Sequence, residues 1–298
     1  MNILTSKKKI VFLLALCAIG LACLELALFG SGQYLLWQRR AHRSPGTVRI
    51  ACFGDSHTFG VGTAQKYSYP GQLETLLKLN NPSAPGFSVA NFGIPGSSTR
   101  RQAEELKKFF ENGGKAELVL LLTGRNNDQE VALWQAHPGR PPSRDWSSLR
   151  SARFLKELWE RLSGQSVRET PARPPEYKAA FDSYISFYLQ QALETCRKNN
   201  SVLILMCYYA GDEDTVREFC RSRGLGCFDP FSDFQRLFAS AGIGRFVSPD
   251  RSHLNRLGYA FYAQRLYEDL FRAQPFRGAR IGPLVRTIPE SGFYGSAR

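Results

Sequence analysis

The sequence predicts an α/β fold, a three-layer α/β/α sandwich with a parallel five-stranded sheet, preceded by one N-terminal transmembrane helix. Three observations carry this. From Thr47 onward, short apolar runs alternate with longer amphipathic segments, the signature of βαβ units. One of those runs, Leu118 to Leu122, is apolar throughout, as a strand covered on both faces would be. Ahead of them, residues 10–30 are apolar except for Glu25.

Taken in order, the chain opens with a basic N-terminus (residues 1–9) in which Lys7, Lys8 and Lys9 meet the apolar run Ile10 to Gly30. A bilayer span needs about 20 apolar residues, whereas the core of a cleaved signal has about 7–15. No small-x-small cleavage site closes the run, so a retained signal-anchor is expected. Cys23 is poorly placed for a lipoprotein, because the run stays apolar through Phe29. The lysine triplet favours a cytoplasmic N-terminus and a main domain outside the cytoplasm, periplasmic in a bacterial cell. Arg39, Arg40 and Arg43 in the basic linker (residues 31–46) weaken that bias. Glu25 is read as a tolerated or interfacial residue.

The main domain spans residues 47–273. Its strands are expected at 48–53, 87–92, 118–122, 202–208 and 227–229. Helices are expected at 70–79 with Leu73, Leu76 and Leu77 on one side, at 99–112 before Gly113-Gly114, and at 177–198 with Tyr177, Phe181, Tyr184, Ile185, Tyr188 and Ala192 as its stripe. A closing helix at 255–273 is expected to turn Leu257, Ala260, Phe261 and Leu266 inward. Right-handed crossovers put helices on both faces of such a sheet. Residues 129–175, rich in Pro and Arg and carrying Trp134, Trp146 and Trp159, read as an insertion with a short helix near 152–162, either a lid or a surface excursion. A basic tail at 274–298 has no periodicity and is expected to be partly unstructured.

Net charge is +13 from 39 Lys and Arg against 26 Asp and Glu, so an anionic neighbour has to be weighed. The chain shows no zinc-ligand spacing, aromatic RNA-binding signature or dense basic tract, so nucleic acid is not expected as a partner. Cys52 and Cys207 sit in apolar strands and read as core residues. Cys220 and Cys227 flank a short loop and would be free to pair in an oxidising compartment, leaving Cys196 over.

Four segments carry chemistry. Gly54-Asp55-Ser56 ends the first strand at a turn that exposes a serine hydroxyl and its own N–H, with Gly54 allowing the tight backbone. His57, beside it, should point away from Ser56 and line the cleft. The loop from Asn91 through Gly93 and Gly96 to Thr99 follows the second strand and can turn N–H groups into a cleft, or simply cap a helix. Asn126, in Gly124-Arg125-Asn126-Asn127 after the third strand, offers an amide that can donate to an oxyanion without titrating. Asp250 stands three residues before His253, close enough to fold back onto one imidazole nitrogen and leave the other for Ser56.

With these four segments the chain resembles the SGNH (GDSL) hydrolases over residues 47–273. Gly54-Asp55-Ser56 matches the family's first block, Asn91-x-x-x-x-Gly96 the second, Gly124-x-Asn126 the third, and Asp250-x-x-His253 with Leu254-Asn255-x-x-Gly258 the fifth. Asn127 stands where the family usually carries Asp. The resemblance implies a flavodoxin-like sandwich and ester hydrolysis or acyl transfer without metal or cofactor. Catalytic roles are expected for Ser56, Asp250 and His253, an oxyanion hole at Ser56, Gly96 and Asn126, and support from Gly54 and Asp55. The expected substrate is an acyl ester, of a lipid or an acylated glycan. An O-acyltransferase or deacetylase on a cell-envelope polysaccharide is the alternative enzyme, and a tethered glycan-binding module the non-enzymatic one. The oligomeric state is not legible.

Overall fold

The computed structural model describes residues 3–40, 48–80, 86–136, 175–209 and 214–272. The expected helix at 152–162 and the tail at 274–298 lie outside these residues, as do Trp146 and Trp159.

The chain separates into two units, and the first contains a single described element, helix α1 (Ile3–Arg40). Its stretch Val11–Ser31, 21 residues, is long and apolar enough to cross a membrane. At 1.5 Å per residue it reaches about 30 Å, the thickness of a hydrocarbon core. The helix also continues through Arg40, taking in residues expected to be linker. Leu35, Leu36, Gln38 and Arg39 are good helix formers, and no proline stops them.

The second unit holds the sheet. Strands β1 (Val48–Gly54), β2 (Phe87–Gly93), β3 (Leu118–Leu122), β4 (Val202–Met206) and β5 (Cys227–Phe228) run in the order β2-β1-β3-β4-β5, all parallel. Alternating side chains build two cores. Ala51, Phe53, Val119, Leu121, Leu203 and Leu205 face α4 (Thr99–Glu111), α5 (Asp128–Ala136), α6 (Pro175–Lys198) and α7 (Asp214–Arg223). Ile50, Cys52, Leu118, Leu120, Ile204 and Met206 face α3 (Tyr69–Asn80), α8 (Phe231–Ala241) and α9 (Arg256–Tyr267). These are the three layers of the predicted sandwich. A one-turn helix, α2 (Ser56–Phe59), follows β1 directly.

The structure corrects several details. Residues 128–136 belong to the domain core as α5, since Trp134 is 3% exposed and its ring lies 5.7 Å from Tyr184 and 5.1 Å from Phe187. Helix α9 turns Tyr259, Tyr262, Ala263 and Leu266 inward, while Leu257 is 49% exposed and Ala260 and Phe261 are half-buried. The phase is set at the start, where the Asn255 side chain accepts from Leu257 N (2.9 Å) and Gly258 N (3.1 Å). The α-helix stops at Tyr267 and ends in a π-helical turn, Glu268–Arg272. Strand β4 is shorter than expected, and Cys207, Tyr208 and Tyr209 form a buried continuation. Cys220 and Cys227 are buried free thiols, and Cys227 Sγ lies 3.9 Å from Cys207 Sγ on the neighbouring strand end.

Candidate active site

In an open parallel sheet the site gathers at the strand carboxyl ends, where the order of strands reverses. Here that point lies between β1 and β3, and the loops after β1, β2 and β3 carry Ser56, Gly96 and Asn126.

Gly54 is required by space. A Cβ there would stand 2.1 Å from Thr58 Oγ1 and 3.0 Å from the Leu122 carbonyl. Asp55 caps α2, its Oδ1 accepting from His57 N at 2.9 Å. Ser56 therefore opens the helix with its hydroxyl on the surface of the turn.

The Ser56 hydroxyl meets His253 Nε2 at 2.8 Å. His253 Nδ1 meets Asp250 Oδ2 at 2.7 Å, and Asp250 Oδ1 accepts from Ser252 N and His253 N, both at 3.0 Å. This tight return needs a left-handed Arg251 (φ 54°) and is fastened by Ser248 N donating to the His253 carbonyl at 2.8 Å. Burial pushes the Asp250 carboxyl up, but its bonds from the His253 ring and the two N–H groups outweigh that and hold it below the usual range. An ionised Asp250 accepts a hydrogen bond from Nδ1–H, so Nε2 is left to accept from Ser56.

Gly96 has φ +68° on the β2–α4 loop, and open space surrounds the place a side chain would take. The loop is bound to the serine turn, with Ile94 N (2.9 Å) and Ser97 Oγ (3.1 Å) both donating to the Gly54 carbonyl. Asn126, exposed and left-handed at φ 60°, donates from Nδ2 to Asp55 Oδ2 at 2.7 Å. Asn127 points the other way. It is 1% exposed, and its Oδ1 accepts from Thr99 N (2.9 Å) at the start of α4. Of the two amides, only that of Asn126 lies on the cleft side. Asn127→Ala is therefore expected to lower stability by about 1–3 kcal/mol, because Thr99 N–H is left buried without its acceptor. A thermal melt with parallel kinetics checks this, and kcat per folded molecule should be unchanged.

His57 is 5% exposed and lines a small cavity with Tyr208, Tyr209 and Leu254; its ring lies 4.9 Å from that of His253 and 5.2 Å from Tyr208. Burial, helped by the nearby His253, pushes its pKa well below the ordinary value, which leaves it a neutral packing ring. Tyr208 and Arg125 also stand at the site, and neither is legible as a site residue in sequence, since Tyr208 is one more apolar-run residue and Arg125 one arginine among many. Among the described residues no three His, Cys, Asp or Glu side chains gather as a metal site would require.

The profile of the GDSL-like lipase/acylhydrolase family matches residues 52–261, a span that includes all of these groups. The chain belongs to that family. It is an ester-bond hydrolase. Solved structures similar to this hydrolase include a G-D-S-L family lipolytic protein from Veillonella parvula, 16% identical, covering 76% of this chain and 100% of that one with a TM-score of 0.46. A psychrotrophic esterase from Pseudoalteromonas is 12% identical over 76% and 97% of the two chains, TM-score 0.48. An acetyl xylan esterase from Geobacillus stearothermophilus is 18% identical over 75% and 94%, TM-score 0.46. No curated protein matches the chain.

Proposed function

We propose that this hydrolase is a membrane-anchored serine esterase working through Ser56, His253 and Asp250. The observation that carries the reading is the unbroken path from Ser56 Oγ to His253 Nε2 at 2.8 Å and from Nδ1 to Asp250 at 2.7 Å. Ser56 Oγ attacks the ester carbonyl carbon while its proton passes to Nε2. The carbonyl oxygen becomes an oxyanion facing the N–H groups of Ser56 and Gly96 and the Asn126 amide. His253 then gives the proton to the departing alcohol, leaving an acyl-Ser56. Water, deprotonated by His253, attacks this ester and releases the acid and the free serine. Asp250 stays ionised and holds the imidazolium formed in each step. Substrates are acyl esters of lipids or acylated glycans.

The test is the purified full chain in detergent on p-nitrophenyl esters of rising acyl length, with fluorophosphonate labelling mapped by mass spectrometry. Turnover together with label on Ser56 is expected. Turnover with the label elsewhere, or unaffected by the phosphonate, overturns the reading.

The anchor reading rests on the length and apolarity of Val11–Ser31 and on the lysines before it. Alkaline phosphatase fused after residue 298 is expected to be active, as that enzyme folds only outside the cytoplasm. A well-expressed but inactive fusion reverses the orientation.

A further inference from the structure

Tyr208 sits just past the end of β4 and is 1% exposed. Its hydroxyl donates to Asp55 Oδ2 at 3.0 Å. The same oxygen accepts from Asn126 Nδ2 at 2.7 Å, while Asp55 Oδ1 is occupied by His57 N at 2.9 Å. Asp55, itself 1% exposed and adjacent to Ser56, thus joins the nucleophile turn to the oxyanion amide, and Tyr208 is the third strand-end group drawn into the junction. We propose that Tyr208 is a positioning residue that acts through Asp55 to aim the Asn126 amide at the developing oxyanion. The proposal rests on the serine-esterase reading and deepens it.

The geometry shows why the amide needs aiming. Asn126 is exposed and its backbone is left-handed, so packing does little to fix its side chain. One of its Nδ2 hydrogens is held by Asp55. The other faces only the Ser97 carbonyl at 3.5 Å, the outer limit of a hydrogen bond, and is the one available to turn to substrate. Direction is therefore set by the Asp55 bond, and that bond is strongest when Asp55 is ionised. Burial works against ionisation and leaves the Asp55 carboxyl above its ordinary range, while the bonds from His57 N, Tyr208 and Asn126 and the charge of Arg125 pull it back. The other titratable groups near Asp55 are Tyr69 on α3, Tyr259 on α9 and His57 on its own turn. The Arg125 guanidinium lies over the Tyr208 ring, 4.5 Å from its centroid. A cation on that face strengthens the phenol as a donor to the carboxylate.

Tyr208→Phe removes this one donor and keeps the ring and its stacking. The expected result is a fall in kcat of about tenfold with KM nearly unchanged. The acid limb of the pH–rate profile should move to higher pH, since a carboxyl that loses a donor protonates more readily. In an Asn126→Ala background the same change should cost nothing further, because the group it acts through is gone. A Tyr208→Phe enzyme with wild-type kcat and pH profile overturns the proposal, as does a loss that persists in full on top of Asn126→Ala. Ser56→Ala separates the two levels. Turnover retained there overturns the esterase reading and this inference with it, whereas turnover lost there but intact in Tyr208→Phe overturns the inference alone. Should the Phe variant fail to fold, the ¹⁵N signal of the wild-type Asn126 side chain decides. It is expected to titrate with the Asp55 carboxyl, and a signal indifferent to pH overturns the proposal.

Discussion

Ser56→Ala should leave a folded protein whose kcat on p-nitrophenyl acetate is down by about 10⁴–10⁶-fold. The Ser56 hydroxyl is the only group that reaches His253 Nε2 among the described hydrogen bonds, at 2.8 Å, so nothing nearby replaces it. His57 is close, but it is buried and neutral, and a ring so packed cannot swing out to serve as nucleophile or base. Residual turnover over water would come from binding and from the oxyanion donors, which the substitution leaves in place. The fold should hardly notice. Ser56 is only partly buried at the first position of α2, whose cap is Asp55, and the His253–Asp250 bond does not depend on it. A change in stability within about 0.5 kcal/mol is expected. Stopped assays on wild type and variant at equal folded concentration, with a melt of each, measure both quantities. A variant that keeps more than about a hundredth of wild-type kcat is incompatible with an acyl-Ser56.

What could be read in the sequence was what depends on local pattern. Leu118 to Leu122 and Val202 to Met206 are uniformly apolar, and a strand buried on both faces admits little else, so β3 and β4 stand out. The expected stripe of α6 agrees at Tyr184, Ile185, Tyr188 and Ala192, because the helix is long enough for its period to show. Helix α7 shows no clear stripe, because half of its ten residues are charged and only Val216, Phe219 and Cys220 are buried. In α9 aromatic and aliphatic residues occur on every side, so periodicity alone cannot fix the phase. The Asn255 cap fixes it, two residues round the helix from the expected Leu257, Ala260 and Phe261. Trp134 was misplaced for a related reason: a short helix beside a Pro- and Arg-rich stretch takes on that stretch's composition, although its ring packs on Tyr184 and Phe187. At the site, Ser56, Asp250 and His253 stand in motifs with fixed spacing. Tyr208 reaches Asp55 across 153 positions of chain, and no local pattern announces such a contact.

Asn126 is where the amide and the backbone must be tested separately. Asn126→Ala should lower kcat by about 10²–10³-fold with a small change in KM, since the amide acts on charge that exists only in the transition state. Alanine also meets a backbone at φ 60°, where a Cβ other than that of Asn or Asp is disfavoured by about 1–2 kcal/mol. Some loss of stability in that variant is thus unrelated to catalysis. Asn126→Gly removes the amide and relieves the backbone together, so it should match the alanine variant in kcat while melting close to wild type. Comparing kcat, KM and Tm across the two resolves the effects. If Asn126→Gly keeps wild-type kcat, the amide does not bind the oxyanion and any loss in the alanine variant is distortion of the loop. If instead Asn127→Ala proves the more damaging to kcat with its melt unchanged, the donor is the neighbouring residue. That outcome would require Asn127 to leave Thr99 N, to which it is bound at 2.9 Å, and turn outward from a site where it is 1% exposed.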